Sequence, residues 1–130
     1  MPEIIVLLDN TAQLIETEDI ERGLNDLINK PNTDTIASAS NSHLNPYFNM
    51  MEERGEYLTL SKRTEKKIHN RQEAPKVYQL GGFLIFWRDS FLKRGIYTDK
   101  TRVLEINQEK TLMIDSETDF KIVKYLLEKK

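Results

Sequence analysis

The polar residues with the clearest chemical potential follow the first apolar segment of the chain. Residues 4–8 form a continuous apolar run, and Asp9, Asn10 and Thr11 come directly after it. Apolar runs of this kind are typical of strands buried on both faces of a parallel sheet. Open α/β sheets bind their ligands at the carboxyl ends of such strands. The sequence therefore predicts a ligand-facing loop at residues 9–11.

A glycine pair lies inside a second long apolar segment, residues 77–87. Glycines in a strand favour either a β-bulge with positive φ or a close approach of the backbone to a ligand, and Gly81 and Gly82 fit both interpretations. The same segment carries four aromatic residues that could stack on bases. Strand alternation favours a core or a subunit interface for them instead: Tyr78, Phe83, Phe86 and Trp87.

The remaining reactive residue types do not form a recognisable catalytic set. His43 and His69 lie in different polar segments without matching ligands, which argues against a zinc site or a catalytic dyad. The serines have no nucleophile-elbow context. A basic run could contact phosphate or RNA, but interspersed glutamates and few aromatics favour a solvent-exposed segment: Lys62, Arg63, Lys66, Lys67 and Arg71. We predict no catalytic residue.

The secondary structure that must position these residues alternates between strands and helices. A helix should begin near Thr17 and end before Pro31, with one apolar stripe formed by Ile20, Leu24, Leu27 and Ile28. A strand at residues 35–40 follows this crossover helix and should lie parallel to the first strand. Later elements are a hairpin turned at residues 54–55, a short helix ending at Gly95, a strand at 103–106 and a final helix capped by Ser116.

Composition indicates one globular domain in a reducing compartment. The chain has 130 residues, no cysteine, and 19 basic against 21 acidic residues. These values exclude disulfides and thiolate metal sites, and they give no global field that would attract nucleic acid or a membrane. No apolar run approaches the roughly 20 residues of a membrane span, and the first residues do not form a secretory signal. We therefore expect a cytoplasmic protein that binds neither nucleic acid nor membrane.

In order and spacing, five segments resemble the acylneuraminate cytidylyltransferases (CMP-sialic acid synthetases) and their relatives for legionaminic and similar nonulosonic acids. Residues 7–15 correspond to a family motif of the form Leu-Leu-Gln-Pro-Thr-Ser-Pro-Leu-Arg, in which the two leucines, Thr11 and Leu14 match. The resemblance covers nearly the whole chain. The other matching segments are residues 17–22, 45–50, 71–78 and 114–120.

The resemblance implies where substrate and metal contacts would lie. Asp9 replaces a glutamine that should contact substrate, and residues 79–82 replace an Arg-x-Asn-Gly pattern that should meet the acid sugar. Arg71 and Gln79 are the implied substrate-binding residues. Residues 113–115 correspond to the family's metal-binding Asp-Ile-Asp pair. Met113 replaces the first carboxylate, and Asp115 remains as the implied metal ligand. A lone carboxylate is a poor Mg²⁺ site, so Mg²⁺ is implied only through the resemblance.

The resemblance also implies a fold and a function. The expected fold is α/β, a partial Rossmann-like three-layer sandwich with a mixed, mostly parallel sheet, in a single truncated domain of residues 1–130. Residues 41–76 would form an extended dimerisation arm or hairpin. The family transfers CMP from CTP to a nonulosonic acid sugar, but the family's glycine- and basic-rich CTP loop should precede Pro2 and is not found. We therefore expect a truncated or degenerate member that is inactive alone.

Two other classes of function stay open. The chain could be a non-catalytic homo-oligomeric module that binds a sugar acid or a protein, or one subunit of a split nucleotidyltransferase. The expected partners are a nonulosonic acid sugar or CMP, a second copy in a homodimer, and a nucleotide-binding partner subunit. The homodimer is expected because residues 4–8 would form an edge strand whose unpaired backbone groups invite association.

Overall fold

The computed structural model describes residues 3–130 and divides them into two compact units. The larger unit comprises the described residues up to Ser40 together with Gln79–Lys130, and the smaller unit is Asn41–Tyr78. The strands are β1 (Ile4–Leu8), β2 (Thr35–Asn41), β3 (Met51–Arg54), β4 (Tyr57–Leu60), β5 (Tyr78–Trp87) and β6 (Thr101–Glu105). The helices are α1 (Thr17–Asn29), α2 (Arg88–Arg94) and α3 (Glu117–Glu128), with short 3₁₀ helices at Arg71–Glu73 and Gln108–Thr111.

The sheet of the larger unit is mixed and has the strand order β1-β5-β2-β6. β1 pairs antiparallel with β5, and β2 pairs parallel with β6. Between the central strands β5 and β2, Trp87 N–H donates to Asp34 O and Phe83 N–H donates to Ser38 Oγ. Residue numbers therefore fall along β5 as they rise along β2, which makes these two strands antiparallel. β1, β2 and β6 therefore share one direction, and β5 opposes them. The predicted α/β fold class with a mixed sheet is confirmed.

The core lies between this sheet and α1. Leu27, Ile36 and Ile85 are at most 1% exposed and form one cluster. Gly23 lets the helix approach the sheet closely, because a Cβ there would lie 2.7 Å from Ile85 Cδ1. Burying each such aliphatic side chain contributes about 1.5–3 kcal/mol. The predicted stripe was wrong at one position: Ile28 is 58% exposed, since it lies at the margin of the packed face.

A half-buried ion pair joins the residue that precedes β2 to α2. The Arg94 guanidinium donates two hydrogen bonds of 3.0 Å to the Asp34 carboxylate, and Thr98 Oγ1 donates a third of 2.8 Å. These bonds, led by the one from Arg94, hold the pKa of Asp34 at about 2, against the burial that would raise it. Asp34 is nearly inaccessible to solvent, so the pair fixes the α2–β6 connection to the sheet.

Helix ends follow the sequence closely. Ser116 Oγ accepts from Asp119 N–H at 3.2 Å, as the predicted cap of α3 requires. Helix α1 begins at Thr17, as predicted, and its N-cap is Glu16, whose N–H donates to Asp19 Oδ2 at 3.0 Å. Gly95 closes α2 with φ +86, which L-residues with side chains rarely adopt.

The smaller unit contains the β3–β4 hairpin and is organised around Asn45. The turn comprises Gly55, at φ +67, and Glu56, one residue later than predicted. Residues 47–50 precede this hairpin and form a turn, not a strand, and their N–H groups bond to Asn45. The side chain of Asn45 also donates to Pro75 O at 3.0 Å. That residues 41–76 act as a dimerisation arm stays a prediction.

Candidate functional site

A cleft of about 200 Å³ opens in the larger unit where β1 ends and β5 begins. Asp9, Gly81 and Met113 line it, from three segments far apart in the sequence. These are positions that the sequence resemblance assigned to the strand–loop motif, the long-strand motif and the metal motif. The remaining lining residues are Ser38, Leu80, Phe83, Leu84 and Tyr97.

The floor of the cleft is backbone, because the glycine pair excludes side chains. Gly82 has φ +107, which confirms the predicted positive φ. A Cβ at Gly82 would lie 2.7 Å from Ile15 Cδ1 and 2.8 Å from Ser38 Oγ. A Cβ at Gly81 would lie 2.6 Å from the carbonyl oxygen of Thr111. Close packing therefore requires glycine at both positions, and backbone geometry requires it at Gly82 as well.

Ser38 satisfies the backbone groups that the glycine pair displaces from regular pairing. Its Oγ accepts from Phe83 N–H at 2.8 Å and lies 2.5 Å from Gly81 O and 3.1 Å from Phe83 O, one of which takes its single proton. Ser38 is 1% exposed, so its hydroxyl has a structural role in the floor of the cleft.

Backbone hydrogen bonds hold the Asp9 loop and the Met113 segment in place. Asp9 N–H donates to Gly82 O at 2.9 Å, and Ala12 N–H donates to Asp9 O at 3.2 Å. Ile114 N–H donates to Thr11 O at 3.3 Å, so the segment before α3 is attached to the loop after β1. Asp9 is half-buried. Asp9 forms one wall of the cleft and Met113 forms another.

A cluster of charges anchors the 3₁₀ helix that precedes Met113. Lys110 Nζ donates to both carboxylate oxygens of Asp19, at 3.0 and 2.8 Å, and lies 3.6 Å from Glu16. These contacts, chiefly the Asp19 bonds, raise the pKa of Lys110. Thr111, next along the chain, bonds through Oγ1 to Ser40 Oγ at 2.8 Å. The wall that carries Met113 is thus fixed to α1 and to β2.

The structure separates the predicted site residues. Gln79 and Asp115 belong to the larger unit, whereas Arg71 belongs to the smaller one. Gln79 is exposed near the beginning of β5, outside the lining of the cleft. Asp115 is exposed and offers its backbone N–H to Asp119 Oδ2 at 3.1 Å. All three assignments therefore stay predictions. None of the three residues lines the cleft, although Met113, two residues before Asp115, does.

The side chains around Asp115 do not form a complete magnesium site. Across residues 3–130, no group of three or more His, Cys, Asp or Glu side chains could hold a metal ion. Mg²⁺ usually takes one or two carboxylates and completes its six ligands with water and substrate phosphates. Asp115 could supply one of these oxygens. The residues present fit Mg²⁺ only as a partial ligand set, so metal binding stays a prediction.

Arg71 lines a groove of about 400 Å³ within the smaller unit. Its guanidinium lies 3.1 Å from His43 Nδ1, and the groove also includes Asn45, Lys76 and Val77. Arg71 is exposed, so it remains accessible to an anionic ligand. The neighbouring basic residues line a separate, more open groove of about 710 Å³ in the same unit, together with Glu65 and Glu73: Arg63, Lys66 and Lys67.

Sequence reasoning missed the contributions of Ser38, Tyr97 and Thr111. Ser38 and Thr111 are buried polar residues in apolar surroundings, and only their partners across the fold explain them. Tyr97 lies in an irregular segment with no local motif, and it is 62% exposed although it lines the cleft. The glycine pair was the signal in the sequence that could have indicated Ser38. Where a glycine pair interrupts regular strand pairing, a side chain on the neighbouring strand can bond to the backbone groups left over, as Ser38 does here.

Two curated proteins are similar in sequence to the chain, and no family model matches it. The chain is 32% identical over 130 residues to the post-translational flagellin modification protein B of Campylobacter coli, covering 98% of this chain and 54% of that protein. It is 37% identical over 94 residues to the CMP-N,N'-diacetyllegionaminic acid synthase of Campylobacter jejuni subsp. jejuni serotype O:2, covering 71% of this chain and 39% of that enzyme.

A solved structure shows the same fold. The crystal structure of 4-diphosphocytidyl-2C-methyl-D-erythritol synthase from Anaerococcus prevotii aligns with a TM-score of 0.61 over 97% of this chain and 59% of that chain, at 13% identity. The resemblance to the cytidylyltransferases is confirmed. The chain spans about half the length of flagellin modification protein B, and less of the legionaminic acid synthase. Within residues 3–130, no helix is long and apolar enough to cross a membrane.

Proposed function

We propose that this cytidylyltransferase-like chain forms the sugar-acid-binding portion of a CMP-nonulosonic acid synthase and does not transfer CMP by itself. The observation that carries the proposal is the cleft at the carboxyl end of β1. Asp9, Gly81 and Met113 line it together, each from a segment that resembles a different motif of the family. The relative named as a CMP-N,N'-diacetyllegionaminic acid synthase supports this choice of substrate class.

The cleft is suited to the hydroxyl groups of a sugar. The Asp9 carboxylate accepts hydrogen bonds, and the backbone floor at Gly81 allows a ligand to approach without meeting a side chain. The Asp9 carboxylate repels the carboxylate of an acid sugar. We therefore expect the hydroxyls of the sugar to face Asp9 and its acid group to point away from Asp9.

The chemistry of CMP transfer requires more than this cleft holds. The anomeric hydroxyl of the sugar attacks the α-phosphorus of CTP, and pyrophosphate leaves. When bound, Mg²⁺ neutralises phosphate charge during such a displacement. Met113 contributes a thioether where the family resemblance implies a carboxylate, so Asp115 would be left as a single metal ligand. Substrate binding without turnover is the activity that these residues favour.

Calorimetric titration with sialic acid, CMP and CTP, each with and without Mg²⁺, tests the proposal. We expect sialic acid to bind, and CTP to bind no tighter than about 100 μM, or about −5.5 kcal/mol. Asp9→Asn should weaken sialic acid binding about tenfold, because charge-assisted hydrogen bonds to sugar hydroxyls are lost. Asp115→Asn, an exposed change outside the cleft lining, is the matched control and should leave Mg²⁺-free binding unchanged.

Three outcomes would contradict the proposal. Tight CTP binding would show a phosphate site elsewhere in the chain. Failure of sialic acid to bind at millimolar concentration would favour a protein-binding module of the same fold. An equal effect of Asp9→Asn and Asp115→Asn would show that the sugar does not bind in the cleft.

We also propose a cytoplasmic location, because the cysteine-free composition suits a reducing compartment.

A further inference from the structure

Lys110 is a partly buried cation that lies outside the cleft and connects two distant parts of the larger unit. Its side chain is 20% exposed, and that of its partner Asp19 is 3% exposed. Lys110 Nζ donates to both carboxylate oxygens of Asp19, at 3.0 and 2.8 Å, although the two residues are 91 positions apart in the sequence. Charge-assisted hydrogen bonds are stronger than those between neutral groups. The first turn of α1 is therefore firmly attached to the 3₁₀ helix at Gln108–Thr111.

The Asp19 carboxylate is held in place by its own helix. Glu16 N–H donates to Asp19 Oδ2 at 3.0 Å, so the carboxylate also caps the first turn of α1. Arg22 Nη1 lies 3.6 Å from Asp19 Oδ1. Because Arg22 belongs to the same helix, its contact with Asp19 does not involve the 3₁₀ helix. Two cations thus contact one carboxylate, and Lys110 is the one that attaches the segment leading to the cleft.

Met113 lies three positions after Lys110, between two further points of attachment. Before it, the Thr111 hydroxyl bonds to β2 at 2.8 Å. After it, Ile114 N–H donates to Thr11 O at 3.3 Å, beyond the usual range of such bonds. The attachment after Met113 is therefore the weaker one. The position of Met113 depends mainly on the bonds made by Lys110 and Thr111.

The Met113 side chain forms a defined wall only when its backbone is held. Methionine is unbranched and has three rotatable bonds, so it fills whatever irregular space it can reach. In a cleft of about 200 Å³ that Asp9 and Gly81 also line, a displaced Met113 would occupy space that a ligand needs. A ligand then binds only those molecules whose wall is in place. Its apparent dissociation constant rises in inverse proportion to their fraction.

We propose that Lys110 is a positioning residue for the cleft: through Asp19 it holds the 3₁₀ helix, and with it Met113, where the wall leaves room for the sugar. The inference rests on the proposed function for the identity of the ligand, whereas the position of the wall requires no ligand. Lys110 is outside the lining of the cleft, so it sets the affinity without touching the sugar.

A double variant tests the proposal without leaving a buried charge unpaired. Lys110→Leu combined with Asp19→Asn removes both charges, and the asparagine keeps an acceptor for Glu16 N–H. Lys110→Arg keeps a cation that can donate two hydrogen bonds to Asp19, so it should match the wild type. Arg22→Leu is the matched control, because it removes a cation from the same carboxylate but leaves the bonds to the 3₁₀ helix.

NMR spectra of the ligand-free protein report the wall directly. The chain has four methionines, so methyl-labelled methionine gives four signals, and Met50 and Met51 of the smaller unit serve as references. The Met113 signal, identified by its loss in Met113→Leu, should shift and broaden in the double variant. Exchange of the Ile114 amide should accelerate about tenfold, because its segment opens more often. Lys110→Arg and Arg22→Leu should leave both measurements unchanged.

Calorimetry with sialic acid measures the consequence for binding. The double variant should bind about three- to tenfold more weakly than the wild type, as expected if about 10–30% of the molecules keep the wall in place. Lys110→Arg should restore the wild-type affinity, and Arg22→Leu should keep it. The amides of Ile36 and Ile85 check that each variant is folded. If the double variant loses their protection, Lys110→Gln replaces it, because glutamine can still donate a hydrogen bond to Asp19, and the same changes are expected at smaller size.

Three results would overturn the proposal. The first is a folded double variant with the wild-type Met113 signal and Ile114 exchange rate. The second is a displaced Met113 signal without loss of affinity, and the third is an Arg22→Leu variant with the same effects as the double variant. A wild type that binds no sialic acid would refute the proposed function instead. The ligand-free spectra would then still decide whether Lys110 holds the wall.

Discussion

The two compact units of this chain are stabilised in different ways. The larger unit has an apolar core, with Leu27, Ile36 and Ile85 almost completely buried, and every residue from 33 to 40 is buried. In the smaller unit, all residues of β3 are exposed, and the buried residue Asn45 is polar. Hydrogen bonds of the Asn45 side chain stabilise the smaller unit, whereas aliphatic packing stabilises the larger one.

This difference predicts a difference in local stability. Hydrophobic burial contributes in proportion to area, whereas an average internal hydrogen bond contributes only about 0.5–1.5 kcal/mol net. The larger unit should therefore unfold cooperatively, and the smaller unit should open locally at lower free energy. The groove that contains Arg71 lies in the unit expected to be less stable. The cleft that contains Asp9 lies in the unit expected to be more stable.

The largest effect is expected from Gly82→Val, which should reduce the unfolding free energy of the larger unit by about 2–6 kcal/mol. Backbone strain at φ +107 and overpacking against Ile15 and Ser38 each cost about 1–3 kcal/mol. Chemical denaturation measures the loss. Gly95→Val is the matched control in the same unit: Gly95 has φ +86, but a Cβ added there would meet nothing within 4 Å, so the variant should show strain alone. Equal losses would mean that packing at Gly82 contributes nothing.

A smaller and local effect is expected from Asn45→Ala. The change removes the acceptor for Tyr47 N–H and the donor to Pro75 O, which should cost about 1–3 kcal/mol. Amide exchange within residues 41–78 should accelerate, while Ile36 and Ile85 remain protected. Tyr57→Ala, at a residue that is 75% exposed, should change neither. Loss of protection at Ile85 would show that the units do not unfold independently.

The smallest effect concerns pH and should be confined to the larger unit. The pKa of Asp34 is lowered from 3.8 to about 2 in the folded state, so its stabilising contribution is complete above about pH 4 and is lost as pH falls towards 2. Because Arg94 is 47% exposed, we expect about 1–2 kcal/mol. Thermal unfolding of the wild type and Asp34→Asn between pH 2 and 5 measures it. A variant that keeps the wild-type slope would assign the acid sensitivity to other carboxylates.

Local patterns in the sequence were enough to predict most elements but not their pairing. Strand β2, helix α1 from Thr17 and the Ser116 cap follow from apolar runs, periodicity and capping chemistry. The turn residue Gly55 was placed within one position. The direction of β5 and its register with β1 depend on contacts between residues almost 80 positions apart, which no local pattern encodes.

The candidate site was predicted less well for the same reason. The glycine pair indicated a special backbone and Gly82 bears this out, but the hydroxyl of Ser38 that completes it lies on another strand. Arg71 and Gln79 were chosen from motif positions, and they belong to different compact units. A linear motif gives the identity of such residues, whereas their proximity depends on the tertiary arrangement.

The backbone floor at Gly81 has a consequence for how this protein could evolve. Thr111 O leaves no room for a side chain there, so natural variation cannot adjust the ligand preference of the cleft from below. Under the proposed function, selection for a different sugar would act on the walls of the cleft, at Asp9, Tyr97 and Met113. Relatives that handle different sugars should therefore share the glycine and diverge at these three positions.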